Sequence, residues 1–204
     1  MSSFPNKIVV GVTGGIACGK STVCKKFGGL GWEVISADSL VHKLLSQDQD
    51  IISQIKARWG SEVIKHGIID KARLARLVFE SPADRNWLEN LLHPLVREKW
   101  ISRIRLSSKN KFVVEIPLLF ENNLDALFTK TISVHASESM QFTRLKKRGL
   151  SVAQINSRIN SQMSIGEKSE RADFVILANG DHKFINSQIK LFLTILISAV
   201  PESN

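Results

Sequence analysis

Five stretches of the chain are short, rich in β-branched residues and closed by glycine, proline or asparagine. Lys7 to Val12 is a continuous apolar run with no alternation, the pattern of a parallel strand buried on both faces. Trp32 to Ile35, Lys111 to Ile116 (closed by Pro117), Thr131 to His135 and Phe174 to Leu177 (running out at Asn179-Gly180) read the same way. Most are followed by apolar positions at helical spacing. Ser21 to Phe27 predicts a helix that Gly28-Gly29 stops. Strands alternating with helices predict a five-stranded parallel α/β sheet in one compact domain, with no internal repeat, low-complexity tract or linker.

Two segments are longer than a simple crossover requires. Between the second and third strands lies helical pattern that includes "NWLENLLHPLVREKWISRI", which predicts an inserted helical region over residues 38–105. Residues 148–171 are polar and charged and contain "VAQINSRINSQM", spaced for a helix. The most apolar late stretch, Leu191 to Val200, is about half the length needed to span a bilayer and reads as the buried face of the last helix.

Composition changes this picture little. Over 204 residues, 43% are hydrophobic and 23% charged, ordinary for a soluble globular protein. The formal net charge of +9 suits a phosphate-rich partner, either a nucleotide or a nucleic acid. The two cysteines, Cys18 and Cys24, have neither CxxC nor zinc-ligand spacing. They suit a reducing cytosol. The N-terminal "MSSFPNK" lacks the apolar stretch of a signal peptide, so a cytoplasmic, membrane-free protein is expected.

The candidate chemistry follows the first strand. In "VVGVTGGIACGKSTV" the residues Gly14, Gly19, Lys20 and Ser21 satisfy G-x-x-x-x-G-K-(S/T), the phosphate-binding loop, in a strand–loop–helix context. Glycines let consecutive N–H groups turn inward onto a phosphate, and the following helix adds the positive end of its dipole. Lys20 places a cation on the β- and γ-phosphates, and the Ser21 hydroxyl ligates Mg²⁺. Gly15, Ala17, Cys18 and Thr22 complete the ATP-binding loop. The pattern leaves the reaction open. A kinase also needs an acid to orient and deprotonate the acceptor hydroxyl. Asp38, just beyond the second strand, is placed for that role, or equally for capping the next helix. Glu115, at the end of the third strand, is a second acid suited to the metal, while Glu121 reads as a solvated loop acid.

"TGGIACGKS", "ISADSLVHKL", "HGIIDKARL", "LENLLHPLV", "VVEIPLLFEN", "QFTRLKKR" and "ADFVILANG", in that order, resemble the dephospho-CoA kinases over nearly the whole chain. The resemblance implies a P-loop kinase core of nucleoside-monophosphate-kinase type, with an inserted helical region that binds the acceptor and a lid over residues 148–171. It implies transfer of the ATP γ-phosphate to the ribose 3′-hydroxyl of dephospho-CoA, the last step of coenzyme A synthesis. By position it makes Asp38 the catalytic base, Arg144 and Arg148 the arginines around the lid's start, and Asn179-Gly180 the turn near the adenine. It puts Lys71, His93 and Pro117, Leu118 and Leu119 on the acceptor side. Ala17-Cys18 stands where the family reads Gly-Ser, Ser36 replaces an acid, and Lys71 replaces an arginine.

Three alternatives are weaker. A kinase of another small hydroxyl acceptor, such as a nucleoside monophosphate, shares the loop. A GTPase switch would carry an N-K-x-D-like motif, which is missing, and a nucleic-acid-binding ATPase would interleave basic and aromatic residues on an exposed face. His93 before Pro94 reads as a helix-start histidine, since no other ligand has metal spacing with it. The four tryptophans read as packing. Cys18, close to a helix N-terminus, is expected to have a lowered pKa and to react faster than a buried Cys24. Nothing in the pattern sets an oligomeric state.

Overall fold

The computed structural model describes residues 3–199, and the chain divides into two compact units. One runs through Ile35 and resumes at Ser107; the other is Ser36–Leu106. In chain order the elements are β1 (Ile8–Gly14), α1 (Lys20–Gly29), β2 (Glu33–Ser36), α2 (Ala37–Gln47), α3 (Gln49–Trp59), β3 (Ile64–Lys65), β4 (Ile68–Ile69), α4 (Lys71–Glu80) and α5 (Pro82–Leu106). They continue with β5 (Lys111–Glu115), β6 (Lys130–His135), α6 (Glu138–Lys147), α7 (Val152–Asn160), α8 (Ile165–Arg171), β7 (Phe174–Leu177) and α9 (His182–Ala199).

The sheet has the order β2-β5-β1-β6-β7, and its five strands are the five read from the sequence. β1 sits at the centre, parallel to β5 on one side and β6 on the other. Its unbroken β-branched run follows from that position, because both faces are covered. On one face Val10, Val12, Val113 and Ile132 meet Val23 and Phe27 of α1 and Ile189 and Phe192 of α9. Each such side chain contributes about 1.5–3 kcal/mol by leaving water. α8 packs against β1 and β6.

Several boundaries differ from expectation. Gly28 and Gly29 lie inside α1; the chain turns away at Gly31, whose φ of 85° is in the left-handed region. In the stretch at 191–200 only one face is buried: Phe192 and Leu196 are, while Leu191 and Ile195 are exposed, and Val200 lies outside the described residues, as do Met1 and Ser2. No helix among the described residues is long and apolar enough to cross a membrane.

The second unit is helical, with α2 packed on α3 and α5, and α4 packed on α5. It also holds an antiparallel hairpin, β3–β4, that helical periodicity did not predict. Its turn is His66-Gly67, with φ of 51° and 78°, both left-handed as a two-residue hairpin turn requires. Trp59 and Trp87 meet edge to face at 5.2 Å, with the Arg58 guanidinium 4.8 Å over the Trp87 ring. Trp32 and Trp100 are buried. All four tryptophans therefore pack.

Candidate active site

The phosphate-binding loop opens where β1 ends. Gly14 has φ 141°, and a Cβ there would stand 2.3 Å from the Val134 carbonyl oxygen, so only glycine lets the strand exit this close to β6. Ala17 adopts φ 59°, a left-handed conformation unusual for alanine. Its methyl group has a compensating contact, packing with Leu145 and with Ile155 of α7. The loop ends at Gly19, which caps α1 with φ 99° and makes no side-chain hydrogen bond to that helix end.

Lys20 is buried, and its ammonium donates to the Gly14 and Gly15 carbonyls at 3.0 and 2.9 Å. The Ser21 hydroxyl donates to Glu115 Oε1 at 2.9 Å. Glu115 is buried at the end of β5, where the parallel register sets it beside Val12 of β1. The register thus brings together two oxygen-bearing side chains 94 positions apart in the chain. A hydroxyl and a carboxylate are hard donors suited to Mg²⁺, which takes one or two protein oxygens and fills its octahedron with water and phosphate. Among the described residues no group of three or more His, Cys, Asp or Glu could hold a metal by itself.

Arg144, on α6, clasps the loop from the side. Its guanidinium donates to the Ala17 carbonyl at 2.9 Å and to the Ala178 carbonyl at 3.0 Å. It therefore links the phosphate loop to the turn at Asn179-Gly180. Asn179 Oδ1 accepts from the Ser137 N–H at 2.9 Å, so this side chain fixes the entry to α6. Gly180 lies against Phe184, where a Cβ would stand 2.6 Å from its ring. Arg148 is exposed at the C-cap, one residue beyond the end of α6, rather than on the helix face with Arg144. Thr22 is half-buried in the first turn of α1. Pro117 and Leu118 are half-buried and Leu119 buried, just past Glu115.

The other three expected residues lie in the helical unit. Asp38 is exposed in the first turn of α2, and it is not the cap: Ser36 is, accepting from the Ser39 N–H at 3.4 Å. Lys71 opens α4 and is exposed, with Asp70 capping that helix through the Ala72 and Arg73 N–H groups. His93 is half-buried in the middle of α5 rather than at a helix start, because α5 continues through Pro94.

Two readings are overturned. Cys18 is 0% exposed, and burial pushes its thiol up, outweighing the opposing pull of the Ala136 and Gly15 backbone and of Lys20. Cys24 is buried and pushed up further, again by desolvation. Both are free thiols. A maleimide time course followed by mass spectrometry should therefore show slow labelling of both in the native protein and complete labelling in denaturant. Stoichiometric native labelling of Cys18 within minutes would contradict the burial. Glu121 is not a solvated loop acid: it pairs with the buried Lys168 at 2.8 Å and accepts from the Met163 N–H at 3.0 Å. Glu115, expected from its strand-end position as an acid suited to the metal, is found hydrogen-bonded to Ser21.

The chain matches the family described as dephospho-CoA kinase over residues 8–183. It is 35% identical to the dephospho-CoA kinase of Shewanella oneidensis over 86% of this chain and 87% of that protein. A dephospho-CoA kinase structure from Campylobacter jejuni superposes with a TM-score of 0.70 at 31% identity, covering 98% of this chain and 100% of that one. Protein TT1252 from Thermus thermophilus superposes with a TM-score of 0.79 at 31% identity, covering 93% and 98%. The sheet order, the phosphate loop and these likenesses agree: the chain belongs to the dephospho-CoA kinase family.

Proposed function

We propose how the chain divides the work of its reaction, the ATP-dependent phosphorylation of dephospho-CoA that completes coenzyme A synthesis. The observation that carries the assignment is the hydrogen bond between Ser21 and Glu115 beside the phosphate loop. The loop backbone from Gly14 to Gly19 cradles the phosphates of ATP, and Lys20 turns from its carbonyl partners to the β- and γ-phosphates. Ser21 and Glu115 hold Mg²⁺, which when bound neutralises charge on the phosphate oxygens. Arg144 keeps the loop and the turn at Asn179-Gly180 in one arrangement around the nucleotide. Arg148, exposed at the C-cap of α6, meets charge on the transferring group when residues 148–171 close as a lid, with α8 as the anchored end.

Asp38 takes the proton of the ribose 3′-hydroxyl, supported by its exposed carboxylate and by the capping role that Ser36 leaves it free of. For the acceptor, Lys71 serves as a point charge and His93 as a hydrogen-bonding group, and Pro117, Leu118 and Leu119 are assigned to the same substrate by the family resemblance. Lysine cannot make the two-pronged phosphate grip of arginine, so Lys71 contributes attraction more than orientation. The free thiols support a reducing, cytoplasmic setting. A coupled ADP-release assay over a panel of acceptors tests the reading. Dephospho-CoA should be strongly preferred, with AMP, shikimate and water poor, and equal turnover of AMP would overturn it.

A further inference from the structure

Lys168 of α8 has a side chain that is 0% exposed, an unusual place for an ammonium. It donates to the Pro117 carbonyl at 2.6 Å and pairs with Glu121 Oε1 at 2.8 Å. The same Pro117 carbonyl accepts the Thr13 hydroxyl at 3.0 Å. Thr13 precedes Gly14, the first residue of the phosphate loop, and Pro117 lies two residues past Glu115. Glu121 Oε1 also accepts from the Met163 N–H, on the connection between α7 and α8. One carbonyl oxygen therefore joins the root of the phosphate loop, the exit of β5 and helix α8. Farther along α8, Arg171 stacks over the Phe120 ring at 4.8 Å and grips the same loop again.

Stability is a weak reason for this lysine. A buried ion pair loses the hydration of both charges, and apolar residues of similar volume usually hold a fold as well. The pair is also incomplete, because Glu121 Oε2 is buried without a hydrogen-bond partner. What the ammonium supplies, and an apolar side chain cannot, is a short charge-assisted bond that fixes the carbonyl in place.

We propose that Lys168 and Thr13 are positioning residues for phosphoryl transfer. Through the Pro117 carbonyl they keep the end of β5, and with it Glu115, in register with the phosphate loop. This rests on the reading of Ser21 and Glu115 as the metal-holding pair. A misplacement near 1 Å at such a site can lower a rate by about 10²-fold.

The test is the double variant Lys168→Met with Glu121→Leu, which removes both buried charges together. Its melting temperature should be retained or raised and its ATP binding preserved in a titration, while kcat for dephospho-CoA falls by roughly 10- to 100-fold. A kcat within about threefold of the parent would show the pair to be only a support and overturn the proposal. Should the double variant not fold, Thr13→Val decides. It keeps the shape and removes the other donor, so kcat should fall by about 3- to 10-fold with unchanged melting, and an unchanged kcat overturns the proposal. Glu115→Gln, assayed alongside for Mg²⁺ dependence, separates the two readings. Parent-like turnover of Glu115→Gln removes the metal reading and this inference with it. Parent-like turnover of only the Lys168 and Thr13 variants removes this inference alone.

Discussion

Asp38→Asn is expected to lower kcat for dephospho-CoA by on the order of 10²–10⁴ while ATP binding and folding stay close to the parent. The two consequences separate because of where the cap lies. Ser36, not Asp38, accepts the N–H that opens α2, so the substitution leaves the helix start intact. Asp38 is exposed, and asparagine keeps its shape and one acceptor oxygen. What asparagine lacks is the ability to take a proton from the acceptor hydroxyl. The loss should therefore fall on kcat more than on the KM for either substrate. The measurement is kcat beside an ATP titration and a melting curve. Turnover within a few-fold of the parent would remove Asp38 from the chemistry.

Lys20→Met should be about as damaging to the rate, by a different route. In the structure the Lys20 ammonium is buried and held by two carbonyls of its own loop, at 3.0 and 2.9 Å. Those carbonyls keep the cation beside the loop before nucleotide arrives, so little is spent organising it at the moment of reaction. Losing one preorganised charge aimed at developing negative charge lowers kcat by on the order of 10²–10³. The KM for ATP should rise too, since part of the contact exists in the ground state. Folding should not suffer, because methionine fills the same volume without a buried charge. Lys20→Arg should fail to restore the rate, as a planar guanidinium does not fit where a compact ammonium sits. A Lys20→Met enzyme with parent-like kcat would place the phosphate charge elsewhere.

These two residues show how differently the site could be read from the chain. Lys20 was legible because everything that defines it is local: a strand, five residues of loop and the first turn of α1 are contiguous. Asp38 was legible only as one of two roles, since a carboxylate after a strand can cap a helix or take a proton. A hydrogen bond from Ser39 to Ser36 excluded the cap. Glu115 was visible as an acid at a strand end, but its partnership with Ser21 depends on β5 lying next to β1 in a given register.

Cys18 was misread for the opposite reason. Its neighbours in sequence, glycines and a lysine beside a helix start, suggest a stabilised thiolate. In space it is part of the hydrophobic core cluster that includes strand residues of the sheet, and desolvation of the thiol there is the larger effect. Glu121 and Lys168 are charged residues far apart in sequence, and only packing reveals that they pair and that Lys168 is fully buried. The β3–β4 hairpin escaped because two-residue strands are too short for any periodicity to register.

The five strands of the sheet, the phosphate loop and its cation, and the insertion of a helical segment after β2 could all be read along the chain. Each of these is written in contiguous residues, through β-branched runs, glycine spacing or helical periodicity, whose effects act within a few positions along the chain. That Ser21 meets Glu115, that Arg144 spans the Ala17 and Ala178 carbonyls, that Cys18 is buried, and that Lys168 sits under packing on the Pro117 carbonyl all follow from the folded arrangement. Those outcomes depend on strand order, register and the water excluded by packing, which couple residues far apart in sequence.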